Sequence, residues 1–215
     1  MKIVILLGAP GCGKGTMAAR LSAQDPVFRH LSSGDMLREA VSNQTRAGRL
    51  AEDAMKRGEL VSDELIAEMI KDTIMGVEGE CTLLLDGFPR TVAQSVILDQ
   101  MIESCGAELW AVVWLDVAEE DLVDRIVGRR VCQSCGAGYH VDTIRPKKDG
   151  ICDVCGDALV ARKDDDVETI KHRLSVYKAS TMPLIDLYKE RGVLRRVVGA
   201  GAISETVELV KNALG

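Results

Sequence analysis

Lys2-Ile3-Val4-Ile5-Leu6-Leu7-Gly8-Ala9-Pro10-Gly11-Cys12-Gly13-Lys14-Gly15-Thr16 is the stretch on which the fold turns. Lys2 to Leu7 is the apolar run of a strand buried on both faces, and glycines break it before a helix-compatible run from Lys14 to Ala23. The GxxxxGK spacing from Gly8 to Lys14 is that of a phosphate-binding loop, although Gly15 takes the usual Ser/Thr position and Thr16 follows it. The physics survives that offset. Glycines let successive backbone N–H groups face phosphate oxygens, the new helix adds its positive end, and Lys14 supplies a mobile cation. Gly11, Cys12, Gly13, Lys14, Gly15 and Thr16 are therefore the candidate phosphate cradle, with Thr16 or a water on the magnesium side. A ligand-free glycine turn is the plainer reading, and the strand-loop-helix setting argues against it. The loop alone suits a GTPase, an ATPase or a kinase.

Further buried-strand patterns follow at 81–86, 109–115 and 193–198. Helical patterns run over 34–41, 50–57, 62–74, 92–105, 119–127, 168–178 and 203–214. This alternation predicts an α/β fold, a P-loop parallel sheet with helices on both faces and with ligands bound beyond the carboxyl ends of the strands. Gly8, Asp86 and Asp116 fall at those ends. Asp86 could orient magnesium through water, and the plainer alternative is a turn or N-cap aspartate. Residues 128–165 break the alternation and read as a small inserted subdomain.

The composition, 47% hydrophobic and 28% charged with only 5 Pro in 215 residues, is that of one globular core with small insertions. A net charge of -6 argues against a general nucleic-acid binder. Gly8 interrupts the opening apolar run too early for a signal peptide, and later apolar stretches fall short of a membrane span, so a cytosolic protein is expected.

Of 7 cysteines, Cys12, Cys81 and Cys105 are scattered, whereas Cys132-Gln133-Ser134-Cys135-Gly136 and Cys152-Asp153-Val154-Cys155-Gly156 form paired CxxC units. This spacing is that of a closed, structural zinc site, with glycines permitting the tight turns. Two disulfides or four free thiols are the alternatives, and iron could occupy the same ligands.

Several further blocks share one family order: Ser32-Ser33-Gly34-Asp35-Met36-Leu37-Arg38, Asp86-Gly87-Phe88-Pro89-Arg90-Thr91, Arg125 with Arg129, and Arg162-Lys163-Asp164-Asp165. With the GxPGxGKGT loop they resemble the adenylate kinase family in its long-lid form, whose members in part carry a lid metal. The resemblance implies reversible phosphoryl transfer from ATP to AMP giving ADP, with Mg²⁺ on the nucleotide and Zn²⁺ in the lid. It implies an acceptor-binding insertion over 32–61 and a lid over 128–165, with Gly128 and the Asp164–Asp166 run at its root. Implied AMP contacts are Ser33, Arg38, Glu59, Leu60, Val61, Gly87, Phe88, Pro89, Arg90, Gln94, Arg162 and Arg173, with Gln94 reading the adenine edge. Implied donor contacts, besides the loop, are Arg129, Gly138, Tyr139 and Gly201. Arg125 and Arg129, read as sharing one helix face, join Arg162 and Arg173 around the transferring group, with Lys14, Arg90 and Asp86 completing the catalytic set. A monomer without nucleic-acid or membrane partners is expected. Another nucleoside monophosphate kinase, acting on UMP or CMP or using GTP, is the nearest alternative; a non-catalytic, nucleotide-dependent zinc-ribbon switch is the more distant one. The chain departs from related kinases at Thr143–Pro146 and Val198–Gly201.

Overall fold

A computed structural model describes residues 1–215 except Glu78, Lys163, Ala200 and Gly201. Strand β1 (Lys2–Leu7) leads through the glycine loop into helix α1 (Lys14–Gln24). Strand β2 (Phe28–Ser32) precedes the helices α2 (Ser33–Ser42), α3 (Arg46–Arg57) and α4 (Asp63–Met75). Then come β3 (Thr82–Asp86), α5 (Val92–Ser104), β4 (Glu108–Asp116) and α6 (Glu119–Val127). Short strands β5 (Arg129–Cys132), β6 (Gly138–His140) and β7 (Leu159–Val160) form an antiparallel sheet in the order β6-β5-β7. Helix α7 (Val167–Val176) passes through a π-helical turn (Tyr177–Thr181) into α8 (Pro183–Glu190), and β8 (Leu194–Val198) and α9 (Ile203–Leu214) complete the described elements.

The main sheet has the order β2-β3-β1-β4-β8, with every adjacent pair parallel. Strand alternation divides its core into two layers. Ile3, Ile5, Leu7, Leu83, Leu85 and Val112 pack with residues of α4, α5 and α8 on one face. Val4, Leu6, Leu84, Ala111, Val113 and Leu115 pack with α1, α6, α7 and α9 on the other. Both faces are thus covered, as the apolar runs require.

Outside the small sheet, two elements escape the periodicity of the sequence. Strand β2 mixes Arg29 and His30 with apolar residues, because it lies at the sheet edge. Helix α8 is short, although Pro183 at its start is a legible signal. Helix α3 begins at Arg46 rather than at residue 50, because the Thr45 hydroxyl caps it by accepting from Gly48 N at 3.0 Å.

Candidate active site

The carboxyl ends of the strands gather the loop, Ser32, Asp86 and Asp116. In the loop, Gly8, Gly11 and Gly13 have φ of 148°, 86° and 98°, a region costly for other residues. Lys14 Nζ donates to Gly8 O at 2.6 Å and Ala9 O at 3.1 Å, which holds the ammonium over the loop. The Cys12 side chain is buried, with its Sγ 3.5 Å from Lys14 Nζ.

Gly15 has a local reason to replace the expected hydroxyl residue. A Cβ there would stand 3.2 Å from Asp86 Oδ2, so the glycine lets the aspartate close on the first turn of α1. Burial alone would push the Asp86 carboxyl up, but the approach of His30 and the cations of Lys14 and Arg90 outweigh it and hold the group below the usual range. His30 Nε2 lies 3.5 Å from Asp86 Oδ2. His30 was not among the residues anticipated from sequence. An ionised, half-buried carboxylate at the first turn of α1 offers the hard oxygen donors that suit Mg²⁺.

The turn between β3 and α5 builds the opposite wall. Gly87 has φ of 83°, and a Cβ there would lie 2.6 Å from Ser33 Oγ and 2.9 Å from Arg90 Nη2. Its lack of a side chain lets both groups pack on the turn. Ser33 donates to Asp86 O at 3.2 Å, Arg90 Nε donates to Gly87 O at 2.8 Å, and Thr181 of the π-helical turn donates to Arg90 O at 2.9 Å. A cavity opens here, lined by Ser33, Arg38, Glu59, Leu60, Val61, Gly87, Arg90, Gln94 and Arg173 among others. Phe88 is in the core, so its side chain is withdrawn from that cavity. The Glu59 carboxylate pairs with Arg57 at 2.8 Å, which leaves its backbone for a ligand.

Five guanidinium groups converge between cavity and loop. Burial, then Arg173 and Arg38, lowers Arg90 to about 10; burial, then Arg38 and Arg129, lowers Arg162 to about 10. Arg173 is lowered too, first by burial, with Arg129 and Arg38 adding to the effect. Acidic partners offset part of this repulsion. Arg129 forms a bidentate pair with Asp165, Arg173 pairs with Asp164 at 3.0 Å, and Arg162 lies 3.6 Å from Asp35. Among the described residues, Arg162 Nε is buried without a hydrogen-bond partner, an orphaned donor inside a cationic cluster.

One expectation needs correction. Arg125 and Arg129 do not share a helix face, because α6 stops at Val127 and Arg129 opens β5. Arg125 instead donates to Gly199 O at 3.3 Å, toward the loop after β8. The Tyr139 side chain is buried with Cys132 and Cys152, where its hydroxyl accepts from Asp153 N at 2.8 Å. Gly138 does approach the loop, since a Cβ there would lie 3.5 Å from Thr16 Oγ1. Gly201 lies outside the described residues.

In the small sheet, the sulfurs of Cys132, Cys135, Cys152 and Cys155 all lie within 4.8 Å of one another. Tetrahedral thiolates about 2.3 Å from one ion would be separated by roughly 3.8 Å, so this set can hold a metal. Gly136 and Gly156, with φ of 72° and 79°, close the two knuckles by donating to Cys132 O and Cys152 O. Burial opposes ionisation of Cys152, but bonds from Cys155 N, Tyr139 and Val154 N bring its thiol down to about 6.

Comparison with known proteins agrees with this architecture. The family model described as adenylate kinase matches residues 6–193. The chain is 46% identical over 212 residues to the adenylate kinase of Caldicellulosiruptor saccharolyticus, covering 99% of this chain and 98% of that protein. It is 44% identical over 214 residues to that of Carboxydothermus hydrogenoformans, covering 100% and 99%. It is 44% identical over 208 residues to that of Erythrobacter litoralis, covering 96% and 97%. The chain belongs to the adenylate kinase family.

Proposed function

We propose that the chain catalyses reversible transfer of the terminal phosphoryl group of ATP to AMP, giving two ADP. The observation that carries this reading is the convergence of Arg38, Arg90, Arg129, Arg162 and Arg173 between the P-loop and the cavity under α2. A loop alone would suit any nucleotide switch. A cationic cluster between a phosphate-binding loop and an acceptor cavity suits charge moving from one to the other.

The loop from Gly11 to Thr16 holds the donor phosphates, and Lys14 exchanges its carbonyl partners for phosphate oxygens. Thr16 and Asp86 would hold Mg²⁺, which would supply positive charge against the donor phosphates. Ser33, Arg38, Arg90 and the backbone from Glu59 to Val61 hold AMP in the cavity, and Gln94 reads its base. The AMP phosphate oxygen is already an anion, so no side-chain nucleophile is needed. The protein aligns the two phosphates, spreads charge onto guanidinium groups and excludes water. The orphaned Nε of Arg162 and the lowered pKa of Arg90 are both relieved by an incoming anion. The insertions 32–61 and 128–165 close over acceptor and donor respectively, and the four cysteines hold a structural zinc that organises the latter.

None of the described helices is long and apolar enough to cross a membrane. A monomer acting in the cytoplasm on ATP, AMP and ADP is the accompanying reading. The test is a coupled assay with MgATP and each of AMP, GMP, UMP and CMP. ADP formation with AMP is the expected result. Transfer only to UMP or CMP would reassign the acceptor, and no transfer at all would leave a nucleotide-dependent switch.

A further inference from the structure

We propose that Asp63 is a specificity-determining positioning residue, which locks the Gln94 amide in the orientation that accepts adenine and rejects a 6-oxopurine. This rests on the reading of Gln94 as the base-reading group.

Gln94 is 2% exposed and lines the acceptor cavity. An amide has two near-isosteric ends, so a free glutamine can present either order of donor and acceptor by a half-turn. Here both ends are fixed by groups that cannot change role. Gln94 Oε1 accepts from the backbone N–H of Arg90 at 2.7 Å, and that N–H can only donate. Gln94 Nε2 donates to Asp63 Oδ1 at 2.7 Å, and an ionised carboxylate can only accept. Turning the amide over would set two donors together at Arg90 and two acceptors together at Asp63.

Asp63 is itself held in place. It is the first residue of α4, after the N-cap Ser62, and its Oδ2 accepts from Thr91 Oγ1 at 3.4 Å. Thr91 in turn caps α5 by accepting from Gln94 N at 3.0 Å. The carboxylate therefore ties the start of α4 to the start of α5, and the amide hangs between them. After these bonds, Gln94 has one N–H and one lone pair left. That pair complements adenine, whose N1 accepts and whose 6-amino group donates. Hypoxanthine has nearly the same outline with the reverse pattern, an N1–H donor and a 6-oxo acceptor, so only a turned amide would receive it.

A merely structural Asp63 would stabilise the first turn of α4 through the helix dipole, and its loss would affect both nucleotides alike. The ratio of kcat/KM for AMP to that for IMP separates the two roles. With MgATP as donor, Asp63→Asn and Asp63→Ala should lower this ratio about tenfold or more, the size of one hydrogen-bond preference, mainly through the KM values. Asp63→Glu, which keeps an obligate acceptor, should stay nearer the unsubstituted ratio. Circular dichroism checks that each variant is folded. An unchanged ratio in folded Asp63→Asn and Asp63→Ala overturns the proposal. Failure of the unsubstituted enzyme to make ADP from AMP would instead overturn the phosphotransferase reading.

Discussion

At Asp86, burial and function pull against one another. The carboxyl is kept ionised by Lys14, Arg90 and His30, so its charge is available for a metal at any physiological pH. Its depressed pKa also contributes stability, present above the ordinary aspartate value near 3.9 and lost as pH falls through the lower folded value. Asp86→Asn should therefore be less stable than the unsubstituted protein at neutral pH, with a gap that narrows below about pH 4. Urea denaturation of both proteins across pH 3–7 measures this; a gap independent of pH would mean that the carboxylate is not held ionised by its neighbours. The same substitution should lower kcat with MgATP by about a hundredfold if this charge positions the metal, which steady-state assays check. The loop beside Asp86 was legible because its glycines and lysine are contiguous and keep their meaning without tertiary context. His30 was not, because an edge-strand histidine acquires its partner only when β2 pairs with β3 and aims it at Asp86. Asp63 was hidden for the same reason: a first-turn aspartate reads as an ordinary helix start until Gln94 arrives from α5.

Among the elements, the two proposed to cover the nucleotide sites depend on different devices. Helices α2 and α3 pack so closely at Gly48 that a Cβ there would stand 2.0 Å from Ala40 O. Backbone cannot yield as a side chain tip can, so Gly48→Ala should cost about 1–3 kcal/mol in urea denaturation and raise the KM for AMP by splaying the pair that carries Arg38. The sheet β6-β5-β7 has a core of Cys132, Tyr139 and Cys152 with a few half-buried neighbours, too little to fold on burial alone. Its cysteines instead gather around a common centre, where a bound metal would supply the missing stability. Chelation should expose residues 128–165 to limited proteolysis before the main sheet unfolds and should lower the thermal midpoint. If neither changes, the metal is dispensable to this sheet. The cysteine spacing made this element readable, whereas its strands are too short for any periodicity to register. Misplacing Arg129 on a helix came from the same limit. The residue that ends α6 is Gly128, with an ordinary φ of -75°, and what demands glycine there is the ring of His140, whose Nε2 would lie 2.3 Å from a Cβ. That contact spans the root of the small sheet and has no local signature.

Across the whole molecule, the arginine cluster is the meeting point of otherwise separate parts. Arg38 comes from α2, Arg90 from the β3–α5 turn, Arg129 from β5, Arg162 from the segment after β7, and Arg173 from α7. Folding brings these cations together against their mutual repulsion, and Asp35, Asp164 and Asp165 offset only part of it, because Arg90 and Arg162 still stand at about 10. A polyphosphate bound among them gains from all five and should stabilise the folded state by the free energy of binding. At a hundredfold excess over Kd that is about 2.7 kcal/mol. For a chain of this size each kcal/mol raises Tm by roughly 2–4 °C, so an increase of about 5–10 °C is expected in calorimetry with inorganic tripolyphosphate. Sodium chloride at equal ionic strength should give much less, because screening weakens repulsion without supplying acceptors for buried N–H groups. Arg162→Gln removes a charge and the orphaned Nε donor together, and should reduce the tripolyphosphate shift while leaving the chloride response nearly unchanged. Equal shifts from the two salts would mean that the cluster is only a region of high positive potential, without a defined seat for a phosphate chain.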